Sequence, residues 1–86
     1  MFRFRLHNVN LQSGIDFARH LVNEYKLELS AAHRAINDIS RSEGAIVEIH
    51  EDKILENHQD PQQLIPFPQR IIDDCEKWGL NAVQVL

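Results

Sequence analysis

Between an alternating N-terminal segment and a helix-then-strand ending lies Tyr25-Lys-Leu-Glu-Leu-Ser-Ala-Ala-His-Arg-Ala-Ile36, which reads as a tight junction between two helices. On its N-terminal side Phe17, Ala18, Leu21, Val22 and Tyr25 fall at i, i+1, i+4, i+5 and i+8, a single apolar stripe facing a core. Ser13 is placed to cap that helix, with Asp16 in the first turn where a carboxylate is favoured. On the C-terminal side Ser30 is placed as a second cap, and Ala32, Ala35, Ile36 and Ile39 again share one face. Leu27 and Leu29 read as plugs in the junction, and Gly44 as a left-handed stop. This arrangement constrains the fold more than the function.

The flanking segments have a different period. Phe2, Phe4 and Leu6 alternate with Arg3, Arg5 and His7, the mark of a strand with one apolar and one basic face. The β-branched run Ala45–His50 reads as a second strand and Asn81–Leu86 as a third. Ile71, Ile72, Cys75 and Trp78 have helical spacing from about Gln69 onwards, and Gly79 stands at the expected C′ position. Between Glu51 and Gln69 lies the least regular stretch, with all three prolines and a short strand reading at Lys53 to Leu55. The expected architecture is α+β in the order β-α-α-β-α-β, a three-stranded antiparallel sheet with its helices packed on one face, forming one domain over residues 1–86.

Composition limits what such a domain can do. A chain of 86 residues buries roughly 60–65% of its unfolded surface, which leaves little room for an enclosed active site. Nine basic against 13 acidic residues give a net charge of −4, so nucleic acid is disfavoured as a partner. The single cysteine, Cys75, forms no internal disulfide, and neither a leader pattern nor a run of about 18 apolar residues is present, so a reducing cytoplasm and no membrane span are expected.

The residues Leu27-x-Leu29-x-x-Ala32, followed by Ala35-Ile36, resemble the helix junction in the C-terminal domain of the bacterial ribosomal stalk protein. The ending Ile71 to Val85 is similar to the same family's last helix, glycine and last strand. The Clp protease adaptor family shares this fold, and its entry into the second strand resembles Glu43-Gly-Ala-Ile46. The resemblance implies a domain that works by docking. Stalk domains engage translation factors through basic residues on their first two helices, and the matching positions are Gly14, Arg19, Val22 and His33, of which Arg19 keeps a firm positive charge. The adaptors hold a substrate's α-amino group with an Asn-Asp-Asp run, and the corresponding run is Asn8-Val9-Asn10, without the carboxylates.

Several side-chain groups are candidates for function. Arg3, Arg5 and His7 form a basic stripe that reads either as half of a docking surface for an acidic partner or as a solvated sheet face paired with Glu48. Arg19 and His33 are added as contacts by the resemblance. Leu64, Ile65 and Phe67 lie in a proline-stiffened loop and read as partner anchors if exposed, or as a flap over the core if buried. His7 facing His50 beside Glu48 and Glu51 would make a metal or pH-sensitive site, against the reading of five separate surface histidines. Cys75 reads as a buried thiol, and Asp73 and Asp74 splay about 100° apart on a helix, so they cannot face each other as a pair. No catalytic residue, metal ligand set or cofactor is assigned.

The expected function is non-enzymatic protein binding, as an adaptor, regulator or inhibitor of a larger cytoplasmic assembly, with self-association through strand edges left open. The alternative is a ferredoxin-like small-ligand or metal-binding regulatory domain, with Lys53 to Leu55 as a fourth strand and His7 and His50 presented on the sheet.

Overall fold

Strand β1 (Phe2–Asn8) runs down the centre of an antiparallel sheet in the computed structural model, which describes residues 1–55 and 67–85. Around it the chain continues as α1 (Gly14–Tyr25), α2 (Leu29–Asp38), β2 (Ala45–Ile49), α3 (Glu51–Leu55), α4 (Phe67–Lys77) and β3 (Leu80–Val85). The strand order is β2-β1-β3, with Phe4 opposite Val47 and Gln84 and with Arg5 opposite Ile46 and Val83. The α+β expectation therefore holds, with its three-stranded antiparallel sheet and the helices on one face.

Period two decides which side of the sheet is covered. Phe4, Leu6, Ala45, Val47, Ile49, Leu80 and Ala82 are buried, and they meet Phe17, Ala18, Leu21, Ala32, Ala35 and Ile71 from the helices in one core. The alternate residues Arg3, Arg5, His7, Ile46, Glu48 and Val83 lie on the uncovered side. Phe4 and Phe17 are fully buried, and loss of either ring would cost about 3–5 kcal/mol by cavity formation. That is a large share of the roughly 5–15 kcal/mol available to a domain of this kind.

Local chemistry sets the helix ends. The hydroxyl of Ser13 accepts the Asp16 N–H at 3.3 Å, as the capping pattern requires. Lys26 then ends α1 with φ at 59°, and its ammonium group donates to the Asn23 carbonyl at 3.0 Å. The second helix departs from expectation. It starts at Leu29 with Glu28 as a cap that makes no side-chain hydrogen bond, so Ser30 sits inside the first turn. Leu27 packs against the core, whereas Leu29 is 61% exposed and is not a plug. Gly44 is left-handed at φ 73°, but it leads into β2, because α2 has already ended at Asp38.

The strand reading of Lys53 to Leu55 is overturned: these residues close α3. Glu51 and Asp52 occupy its first turn, where carboxylates favour a helix, and the Lys53 N–H donates to the His50 carbonyl at 3.2 Å. No fourth strand exists among the described residues. His7 and His50 also fall at opposite ends of the sheet. His7 pairs with Asn81, whereas His50 follows Ile49, the partner of Phe2, so about five residues of strand, on the order of 17 Å, separate them. The ferredoxin-like alternative loses both its strand and its histidine pair, and no group of three or more metal-ligating side chains is assembled among the described residues.

Candidate functional site

Small residues let α1 and α2 approach closely. Gly14 opens α1 directly beside Ile36, where an added Cβ would lie 2.8 Å from the Ile36 Cγ2 methyl. Ala18, Ala32 and Ala35 are buried between the two helices and the sheet. Above this floor the outer faces diverge into a groove of about 370 Å³. From α1 it is lined by Gly14, Ile15, Ala18 and Arg19, at i, i+1, i+4 and i+5. From α2 come Leu29, His33, Ile36 and Asn37, at i, i+4, i+7 and i+8. Both spacings mark one face of a helix.

The chemistry of this groove is apolar with a cationic flank. Ile15 is 71% and Leu29 61% exposed, large aliphatic side chains left in water beside Ile36. Isolated apolar residues on a surface are ordinary, but these two share one concave groove rimmed by polar groups. Arg19 and His33 supply that rim, and neither side chain makes a hydrogen bond or ion pair among the described residues. The structure thus brings together two residues that the sequence places 14 positions apart.

The remaining contact residues lie elsewhere. Arg3 donates to Glu48 at 3.1 Å across the sheet, and Arg5 donates to the Glu43 carbonyl at 2.5 Å. With those partners the basic stripe of Arg3, Arg5 and His7 is largely committed within the molecule, on a face shared with the half-exposed Ile46 and Val83. Leu64 and Ile65 lie outside the described residues, as does the side chain of Phe67.

One polar cluster carries no signal in the sequence. Asp74 on α4 accepts a hydrogen bond from the His20 ring Nε2 on α1 at 2.5 Å, and a second from the Tyr25 hydroxyl. The imidazole is enclosed by Phe17, Tyr25 and Trp78, with ring centroids 6.1, 5.4 and 5.0 Å away. Burial, reinforced by the Asp74 hydrogen bond and charge, keeps the Tyr25 phenol protonated far above its ordinary range. Next in the chain, Cys75 is buried, and desolvation pushes its thiol up to about 12, with Asp74 and Glu76 adding to the shift. A thiol held protonated in this way is a poor nucleophile, and the His20–Tyr25–Asp74 bonds clasp α1 to α4.

No protein-family model, curated protein or solved structure matches the chain. Among the described residues no helix is long and apolar enough to cross a membrane.

Proposed function

We propose that this chain is a non-enzymatic protein-binding domain that works as an adaptor, regulator or inhibitor within a larger assembly, and that it docks its partner in the groove between α1 and α2. The observation that carries this reading is the concave pairing of exposed Ile15 and Leu29 in one groove with the unpartnered side chains of Arg19, a cation, and His33. Such a groove fits a peptide segment that inserts an aliphatic or aromatic anchor and places acidic residues beside it. The resemblance to two families that work by docking supports the same reading.

Peptide display on the native chain tests it. Selected sequences are expected to carry a large apolar anchor next to Asp or Glu. The double variant Ile15→Ala, Leu29→Ala is expected to bind them at least tenfold more weakly, since each truncation removes about 1.5–3 kcal/mol of burial and 1.4 kcal/mol is tenfold. Both side chains are exposed, so the variant should keep the native circular dichroism spectrum. Undiminished binding by the folded double variant would refute the assignment.

A further inference from the structure

A second cavity, of about 400 Å³, lies on the other side of α2, against β2. Ile46, Val47 and Glu48 line it in succession. A cavity over a sheet face would meet every second residue, because side chains alternate, so three consecutive ones mean that it runs along the strand's edge. In the order β2-β1-β3 that edge of β2 carries no other strand, and its outward N–H and C=O groups make no backbone hydrogen bond to another element among the described residues.

The rest of the lining carries more cations than carboxylates. Lys26 from the helix junction, Arg34 from α2 and Lys53 from α3 all line the cavity, with His50 beside them. Two carboxylates, Glu28 and Glu48, line it as well, and Glu48 is already held by Arg3 at 3.1 Å. Lys26 is partly engaged at the end of α1 through Asn23. The side chains of Arg34 and Lys53 make no hydrogen bond or ion pair among the described residues. On a chain of net charge −4, three arginine and lysine residues lining one cavity with an open strand edge form a local exception.

From this juxtaposition we propose that β2 receives an extended acidic peptide segment as an added strand, its backbone pairing with the edge and its carboxylates meeting Arg34 and Lys53. Strand addition draws affinity from main-chain hydrogen bonds and specificity from the side chains beside the edge. Here the cations select acidic residues, and Tyr25 and Leu27 offer apolar contact to the residues between them. The surface is separate from the α1–α2 groove, with which it shares no lining residue.

The test uses the whole chain and a labelled peptide of alternating Val and Glu, matched in length to the five residues of β2, with the same peptide carrying Lys for Glu as control. Binding to the Glu peptide, followed by fluorescence anisotropy, is expected to weaken at least tenfold in the variant Arg34→Glu, Lys53→Glu. It should be unchanged in Ile15→Ala, Leu29→Ala, so failure here and failure of the groove remain distinguishable. Amide hydrogen exchange across residues 45–49 is expected to slow when the Glu peptide binds. The proposal is overturned if the Lys peptide binds equally, if charge reversal has no effect, or if exchange in β2 does not change. It is also overturned if inorganic phosphate alone displaces the peptide at millimolar concentration, which would leave a small-anion site in place of strand addition.

Discussion

At Gly79 the backbone takes φ of 87°, and an added Cβ would lie 2.3 Å from the Asn10 carbonyl oxygen. The Gly79 carbonyl also accepts the N–H groups of Val9 and Asn10 at 3.0 and 2.7 Å, tying the end of β1 to the turn before β3. Gly79→Ala is therefore expected to cost more than about 2 kcal/mol, from left-handed strain and the clash together, measured by urea denaturation. Cys75 makes a pH-dependent contribution. Its thiol is held up to about 12 in the fold, against an ordinary value of 9.0, so above pH 9 the unfolded chain gives up a proton that the folded chain keeps. The unfolded state then binds fewer protons, and stability falls as pH rises, by up to about 1.4 kcal/mol per pH unit. Tyr25 adds a fall of the same sign above pH 10, its own ordinary value. Stability should be flat in these groups below pH 8, and Cys75→Ala should remove the part of the decline that begins near pH 9.

At the scale of elements, β1, α1 and β2 were legible because their signals are local. Alternation in Phe2–Leu6, the Ser13 cap and the stripe ending at Tyr25 each span fewer than a dozen residues and agree with one another. Lys53 to Leu55 is helix where a strand is expected, because three residues carry no usable period and the first-turn acids Glu51 and Asp52 decide the case for a helix. The α1–α4 clasp was invisible for another reason: His20 and Asp74 are 54 residues apart, and no spacing rule joins them. The Asp74 side chain is 27% and the His20 side chain 20% exposed, so their hydrogen bonds lie in a partly desolvated setting. Asp74→Asn is expected to lower stability by about 1–2 kcal/mol through the loss of charge-assisted bonds from His20 and Tyr25. Thermal melts of Asp74→Asn and His20→Ala, alone and combined, would check this, since partners in one cluster should show non-additive losses.

For the molecule as a whole, packing three helices of useful length on one face of a three-stranded sheet leaves three kinds of surface: a sheet face, a free strand edge and an outer helical groove. The sheet face was readable from alternation, and its arginines are largely satisfied by Glu48 and by the Glu43 carbonyl. The groove was readable only in part. Arg19 and His33 follow from a resemblance, whereas Leu29 reads as a junction plug and Ile15 carries no signal, because exposed aliphatic residues have no signature until the fold shows them side by side. The proposed docking site is that groove. The most direct measurement is the titration of ¹⁵N-labelled protein with a display-selected peptide, following backbone amides. The largest shifts are predicted at residues 14–19 and 29–37, and they should vanish in Ile15→Ala, Leu29→Ala. Shifts confined to the sheet face, or persisting in the double variant, would contradict the docking assignment.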